Sequence, residues 1–220
     1  GQVVLAVSPS QLDTFARRGN IMRLNGIDAE LLDRGQVMKL LPYLDYSKEA
    51  RWPIWGGILQ GRAGTVRHDA VAWGYARAAD ALGAHIIENC EVTGFVMDGD
   101  KAIGVETSRG RIMAGKIGIA VAGHSSHVAA MAGLRLPIRT HQLQALVTNA
   151  YAPGFGGIVA SSELLCYVSQ TPRGQMLMGA EFDSQPSYSM ASSFEFLQSV
   201  STKVIHLLPF LRDLRVLRQW

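Results

Sequence analysis

The residues with the clearest chemical potential are Arg67, His68 and Asp69, which stand at the start of an apolar pattern of helical spacing. His68 is predicted to open this helix, where the positive end of the helix dipole favours an uncharged imidazole. An uncharged imidazole is a competent nucleophile or base. The same residues also suit an ordinary helix start, since His68 can be a surface or capping residue and Asp69 complements the dipole. Both interpretations stay open on these residues alone.

A turn of small residues is the second candidate. Ala122 and Gly123 separate an apolar strand predicted over 117–121 from a helix predicted over 125–132. Turns of this kind let backbone N–H groups approach a phosphate or the edge of a flavin closely. A purely structural turn explains the pattern equally well.

Two further pairs of side chains carry weaker signals. His124 and His127 share one helical face and could hold a metal ion, but no carboxylate or cysteine nearby completes a site, so we predict none. Tyr167 and Ser169 alternate along a predicted strand and face the same side, where they either line a cavity or pack. Tyr167 is therefore only a weak candidate for a catalytic residue.

The composition indicates a globular α/β protein and argues against several classes of function. The chain has 220 residues, 48% of them hydrophobic, and a formal net charge of +3. Its arginines are mostly scattered, which argues against a nucleic-acid interface. No apolar run reaches the roughly 20 residues needed to cross a membrane. Cys90 and Cys166 lie far apart in apolar runs, so we expect free thiols and a cytoplasmic location.

Hydrophobic periodicity predicts helices alternating with short strands. Helices are expected over 11–24, 34–41, 68–82, 125–132 and 193–207, and strands over 2–7, 85–88, 91–97, 102–107, 111–114, 117–121, 143–147, 164–169, 175–179 and 215–220. Segment 51–64, rich in glycine and tryptophan, is expected to be irregular strand and loop. The turn Asp98-Gly99-Asp100 predicts a hairpin within a β-meander. The apolar faces of two helices are predicted to be Val71, Tyr75, Ala79 and Leu82, and Phe194, Leu197, Val200, Val204 and Leu207.

Four stretches of the sequence resemble the β-subunit family of heterotetrameric sarcosine oxidases, flavoenzymes related to D-amino-acid oxidase and glycine oxidase. They are 64–77 (GTVRHDAVAWGYAR), 88–95 (ENCEVTGF), 122–126 (AGHSS) and 167–170 (YVSQ). The first two stretches are long and specific, and the similarity extends from about Asn25 to Trp220.

The resemblance implies an α/β fold with α+β elements, in which a partial FAD-binding Rossmann-like domain with a β-meander accompanies an antiparallel-sheet substrate domain. Residues 1–64 would belong to the substrate domain and connecting segments, 65–136 to the FAD-binding domain, 137–214 to the substrate domain, and 215–220 to a strand returning to the FAD-binding domain. No Gly-x-Gly-x-x-Gly motif is present. The family's glycine-rich FAD loop and its later glycine-rich segment would lie outside this sequence, which we expect to be an internal piece of a longer protein.

The resemblance also implies FAD-dependent oxidative demethylation of sarcosine to glycine, with covalent FMN passing electrons to oxygen and giving hydrogen peroxide. His68 matches the histidine that carries FMN, the main chain of Val92 would meet the FAD adenine, and Ala122 and Gly123 would approach FAD. Arg67 is placed to pair with the FMN phosphate or the reduced flavin. The implied partners are a small amine substrate and the other subunits of the enzyme, with the large α subunit at the FMN interface.

Two alternatives stay open. One is a single-chain sarcosine or dimethylglycine dehydrogenase, or a glycine-oxidase-like enzyme, using FAD alone; the motif at residues 67–69 argues against it. The other is a catalytically silent assembly subunit that keeps the fold. The arginine or lysine that would hold the substrate carboxylate is not identifiable in the sequence.

Overall fold

The computed structural model describes residues 1–152 and 154–220. These residues form two compact units. The first comprises Gly1–Thr65, Gln142–Ser184 and Ser189–Trp220, and the second comprises Val66–His141 and Gln185–Tyr188. Throughout this described part of the chain, each helix is too short or too polar to traverse a lipid bilayer.

Helices and strands are numbered in chain order. The strands are β1 (Gln2–Ala6), β2 (Glu30–Asp33), β3 (Gly56–Gln60), β4 (Val92–Asp98), β5 (Lys101–Thr107), β6 (Gly110–Met113), β7 (His141–Ala150), β8 (Ile158–Ser161), β9 (Cys166–Gln170), β10 (Gln175–Pro186) and β11 (Val216–Gln219). The helices are α1 (Pro9–Leu24), α2 (Arg34–Leu40), α3 (His68–Ala81), α4 (Ser125–Met131) and α5 (Phe194–Leu207), with short 3-10 helices at Ala122–His124 and Pro209–Asp213. The predicted mixed α/β class is confirmed.

Three helices begin at side-chain caps that are recognisable in the sequence. Ser8 Oγ accepts a hydrogen bond from the Gln11 N–H at 3.3 Å, and Ser193 caps α5 in the same way. Asp33 and Gln36 form a reciprocal capping box at the start of α2. Such caps satisfy backbone donors that the first helical turn leaves unpaired. All five helices predicted from the sequence are confirmed, with ends within about two residues of the prediction.

The first unit is built on an eight-stranded mixed sheet in the order β11-β7-β10-β9-β8-β1-β3-β2. Strand β1 pairs antiparallel with β3 and parallel with β8. Strand β11 pairs antiparallel with β7. Residues 215–220, expected to begin a returning strand, therefore contribute to this sheet and lie in the first unit.

The core of the first unit lies on both faces of β1, because successive side chains of a strand point to opposite faces. Val3 and Leu5 belong to a large buried cluster with residues of α2 and α5. Ala6 belongs to a second cluster with Phe15 of α1 and Ile58 of β3. The helices thus cover the sheet from two sides at its β1 strand.

The buried face of α5 differs from the predicted one. Val200, Val204 and Leu207 are buried as predicted, but Phe194 is 71% exposed and Phe196 is buried instead. The helical period explains this, because residues four positions apart lie on one face. Phe196 precedes Val200 by one such step, whereas Phe194 falls on another side of the helix.

The second unit contains the three-stranded antiparallel sheet β4-β5-β6, which confirms the predicted meander. Gly99 adopts φ 56° in the turn between β4 and β5. The strands predicted over 85–88 and 117–121 are wrong, since both segments are irregular and Ile86 and Ile119 are exposed. A strand needs a neighbour that completes its backbone hydrogen bonds. Neither segment pairs with a strand within the residues described.

Leu5 provides a direct test of the core, because its side chain is 0% exposed. Replacing Leu5 with alanine should lower the free energy of unfolding by roughly 2–5 kcal/mol, since the change removes apolar contacts and leaves a cavity. The matched control is Leu24→Ala at the end of α1, where the leucine is 87% exposed and the expected change is below about 0.5 kcal/mol. Chemical denaturation of the full-length variants measures both changes. Equal losses would contradict this description of the core.

Candidate functional site

His68 is the first residue of α3, as predicted, and its side chain is exposed. Arg67 is the N-cap residue, in an extended conformation, and its side chain makes no capping hydrogen bond to the helix backbone. Its guanidinium lies 3.4 Å from the Asp69 carboxylate, and both side chains are mostly exposed. The backbone N–H of Ala70 lowers the pKa of the Asp69 carboxyl by hydrogen bonding, and Arg67 lowers this pKa further. The helix start thus presents an accessible imidazole between a cation and an anion.

The predicted apolar face of α3 is not buried in this chain. The helix contains no buried residue. Val71, Tyr75 and Leu82 are 42%, 77% and 89% exposed, and Trp73 on the same helix is 55% exposed. Helix α3 therefore has the apolar face of an amphipathic helix, but this face lacks the packing contacts that normally bury it.

The turn at Ala122 and Gly123 forms a 3-10 helix that runs directly into α4. Ala122 adopts φ 46°, which is uncommon for a residue with a β-carbon and recurs at functional sites. The Ser125 hydroxyl donates to the Ala122 carbonyl at 2.7 Å, and the Thr140 hydroxyl donates to the Gly123 carbonyl. In the part of the chain that is described, the backbone N–H groups of Ala122 and Gly123 donate no hydrogen bond. Hydrogen bonds to its two carbonyl groups therefore stabilise the turn, and the N–H groups of Ala122 and Gly123 remain available as donors.

His124 and His127 both lie against an aromatic ring. Their ring centroids are 5.0 Å and 6.4 Å from that of Tyr188. Among residues 1–152 and 154–220, no three His, Cys, Asp or Glu side chains are grouped so that they could hold a metal ion. Both imidazole rings therefore pack near the Tyr188 ring.

Val92 begins β4 and is half-buried. It pairs with Thr107 of β5, and the register shifts between Val92 and Gly94, which marks a β-bulge. Bulges redirect the strand locally and are frequent beside functional sites. The bulge places an irregular stretch of main chain at the position predicted to meet the FAD adenine.

Tyr167 belongs to a row of residues that crosses one face of the large sheet. Val4 pairs with Ala160, Ala160 pairs with Tyr167, and Tyr167 pairs with Gly179. A β-carbon built on Gly179 would lie 2.9 Å from the Tyr167 hydroxyl oxygen and 2.9 Å from the Gln144 carbonyl oxygen. The phenol therefore lies over Gly179, and glycine is the residue that leaves room for it.

The Tyr167 phenol is half-buried, and this burial raises its pKa. Within the described residues its hydroxyl has no hydrogen-bond partner. A cavity of about 510 Å³ lies beside it. The lining residues include Gln2, Val4, Arg18, Ile158, Ala160 and Leu165. The cavity is thus lined by the Tyr167 phenol, by the Arg18 side chain and by apolar residues.

The two units hold different parts of the predicted site. Tyr167 lies in the first unit, and Arg67, His68, Val92, Ala122 and Gly123 lie in the second. Sequence reasoning missed Gly179, Arg18 and Thr140. A glycine inside a predicted strand was the available signal for Gly179, since such glycines often mark a close approach by another group. No pattern in the sequence linked Arg18 to Tyr167.

A family model described as FAD dependent oxidoreductase matches residues 1–220. Sarcosine oxidase subunit beta of Rhizobium meliloti (strain 1021) is 50% identical over 220 residues, which are 100% of this chain and 53% of that protein. Sarcosine oxidase subunit beta of Arthrobacter sp is 42% identical over 100% of this chain and 54% of its own length. The chain thus spans about half the length of the curated relatives it matches.

Solved structures with this fold include L-proline dehydrogenase from P. horikoshii, with a TM-score of 0.89 and 26% identity over 100% of this chain and 58% of that one. Glycine oxidase from Geobacillus kaustophilus has a TM-score of 0.83 and 21% identity, covering 100% of this chain and 57% of the other. The second likeness shows the fold alone.

Gly179→Ala tests the placement of the phenol. The new methyl group would meet the Tyr167 ring and the Gln144 carbonyl, so we expect a loss of roughly 1–3 kcal/mol in unfolding free energy. Gly61→Ala is the control, because a β-carbon there would meet nothing within 4 Å. In a double-mutant cycle, Tyr167→Ala should recover part of the Gly179→Ala loss. Additive losses would contradict a phenol lying over Gly179.

Proposed function

Because the chain belongs to the FAD dependent oxidoreductase family, we propose that it is part of a sarcosine oxidase β subunit, which oxidises the N-methyl group of sarcosine. The observation that carries this proposal is the 50% identity to sarcosine oxidase subunit beta over the whole chain. When bound, FAD supplies the two-electron oxidation of the amine and covalent FMN the transfer of electrons to oxygen, giving glycine, formaldehyde or methylenetetrahydrofolate, and hydrogen peroxide.

Residues of the second unit suit contacts with FAD. The open N–H groups of Ala122 and Gly123 are donors of the kind that face phosphates and flavin edges. The positive φ of Ala122 holds these donors in a fixed turn. Val92, at the bulge of β4, would offer its main chain to the adenine. These features support the assignment of Val92, Ala122 and Gly123 to FAD binding.

His68 suits the covalent attachment of FMN. Attachment requires an uncharged imidazole that can attack an electrophilic carbon of the flavin, and it requires access. The exposed ring at an uncapped helix start meets the need for access. Arg67 is mostly exposed beside it and can pair with the FMN phosphate.

The row through Tyr167 suits the amine substrate. Because burial raises the pKa of Tyr167, its hydroxyl stays protonated at neutral pH and can donate a hydrogen bond. The neighbouring Val4 and Ala160 offer an apolar surface to a methyl group. Tyr167 would position the substrate, with the oxidising chemistry left to the cofactor.

The proposal includes a complex with the other sarcosine oxidase subunits, the large α subunit lying at the FMN site. The relatives' description as subunits supports a complex. Trp73 and Tyr75 on α3 are exposed and lie close to His68 along the chain. Exposed aromatic side chains of this kind suit burial against a partner protein. A cytoplasmic location is part of the proposal, supported by the two free cysteines, Cys90 and Cys166.

An enzyme that uses FAD alone is the second candidate function. The TM-score of 0.89 to L-proline dehydrogenase supports it only in that the same fold serves a dehydrogenase. The flavin content of the complex separates the two candidates, since the first contains two flavins for each β subunit and the second contains one.

The full-length protein, co-expressed with its partner subunits, should bind FAD and FMN and produce hydrogen peroxide when sarcosine is added. Peroxide is measured with a coupled peroxidase assay, and the flavins are separated after acid precipitation. A complex that contains both flavins and yields neither peroxide nor formaldehyde from sarcosine would contradict the proposed function.

His68→Ala should abolish the covalent flavin, because no other residue of this helix start can form the bond. The label is measured as flavin fluorescence that stays with the acid-denatured β subunit. The matched control is His85→Ala, an exposed histidine beyond the other end of α3, which should keep the label in full. Retention of covalent flavin by the His68 variant would show that the attachment site lies elsewhere.

A further inference from the structure

The turn at Ala122 and Gly123 has a conformation that its surroundings must hold. Ala122 has φ 46°, in a region that residues with a β-carbon rarely adopt. Such a conformation persists only where neighbouring groups fix it. The N–H groups of Ala122 and Gly123 remain available as donors in the described part of the chain. The groups that hold the turn therefore also determine the direction of these two donors.

Thr140 contacts the turn from a separate segment of the chain. Its hydroxyl donates a hydrogen bond to the carbonyl of Gly123, which lies 17 positions earlier in the sequence. A β-carbon built on Gly123 would lie 3.1 Å from Thr140 Cγ2, so the threonine methyl group also packs beside Gly123. The Ser125 hydroxyl, which donates to the Ala122 carbonyl, belongs instead to the helix that follows the turn. Thr140 therefore fixes the turn from outside its own segment.

Thr140 is itself held by a third segment of the second unit, Gln185–Tyr188. The Thr140 carbonyl accepts a hydrogen bond from the Ser187 N–H at 2.9 Å. The next residue, Tyr188, places its ring 5.0 Å from the ring of His124, which directly follows the turn. The segment thus contacts the chain on both sides of the hydrogen bond between Thr140 and Gly123. This arrangement keeps the Thr140 hydroxyl directed at the turn.

We propose that Thr140 is a positioning residue for FAD, which holds the turn so that the N–H groups of Ala122 and Gly123 face the cofactor. The inference rests on the proposed contact of this turn with FAD. Thr140 acts through the turn, because its hydroxyl and its methyl group both contact Gly123. Donors that are fixed before the ligand arrives bind it more tightly, since binding then requires less ordering of the chain.

The test uses the full-length complex with its bound FAD and three substitutions. Thr140→Val keeps the β-branched shape but removes the hydroxyl, so the Kd for FAD should rise roughly 5- to 20-fold, as expected when a partly buried carbonyl loses its hydrogen bond. Thr140→Ser keeps the hydroxyl and should stay within about threefold of wild type. Thr202→Val is the matched control, because the Thr202 hydroxyl donates to the Gln198 carbonyl within α5, and it should leave the Kd unchanged.

Two measurements follow FAD binding without turnover. The FAD released on dilution of the complex is separated by ultrafiltration and quantified by its fluorescence, which gives the Kd. Hydrogen exchange of the peptide that contains Ala122 and Gly123 should be slowed by FAD in wild type and in Thr140→Ser, and slowed less in Thr140→Val. A purely structural role would lower the thermal stability of Thr140→Val and leave both measurements unchanged. If Thr140→Val fails to assemble, Thr140→Ala gives the same test, since it also removes the hydroxyl.

The outcomes separate this inference from the proposed function. An unchanged Kd in Thr140→Val, in a complex that oxidises sarcosine, overturns the role of Thr140 and leaves the proposed function standing. Weaker FAD binding in Thr140→Val, when the wild-type complex does not oxidise sarcosine, overturns the proposed function and keeps the positioning role. Equal weakening in Thr140→Ser or Thr202→Val overturns the role of the Thr140 hydroxyl. A wild-type complex in which FAD leaves exchange at the turn unchanged overturns both the proposed FAD contact and the inference.

Discussion

The large sheet depends on the burial of β1 on both of its faces. Leu5 and Ala6 are adjacent in the chain, point to opposite faces and are each 0% exposed. A strand that is buried on both faces needs packing partners on both sides of the sheet. Helix α1 supplies it on one face through Phe15, and α2 and α5 supply it on the other. The location of Arg18 follows from the same contacts, because they hold α1 against β1 and β3.

Two adjacent glycines of β3 make this close packing possible. A β-carbon at Gly56 would collide with the Leu32 carbonyl oxygen, and one at Gly57 would lie 2.9 Å from the Val4 carbonyl oxygen. In the sequence, the glycines and tryptophans of 51–64 suggested irregular strand and loop, since glycine weakens the interior of a strand. The neighbouring strands explain why glycine stands here: β3 lies between β1 and β2 where a side chain would meet their backbones.

Elements determined by residues close in the chain were predicted correctly. The starts of the helices capped by Ser8, Asp33 and Ser193 were predicted to within about two residues, and Asp98-Gly99 locates a hairpin. Strands β2 and β8, of four residues each, were not predicted, whereas two irregular segments of the second unit were predicted as strands. Short apolar segments carry the same local pattern in both cases. Whether such a segment pairs with another strand depends on distant parts of the chain, so the local pattern alone cannot distinguish true strands from irregular segments.

The same distinction separates the two parts of the candidate site. His68, with Arg67 and Asp69, lies within a single helix start, so its position could be predicted from the sequence, while its role as an FMN site was implied only by the family resemblance. Tyr167 and Arg18 come from elements far apart in the chain, and only the packing of α1 on β1 and the pairing of β1 with β8 bring them to one cavity. The cavity beside Tyr167 is therefore a property of the tertiary structure. Changes in the packing of α1 on β1 would alter it without touching either polar residue, while the helix start at His68 depends on its own turn.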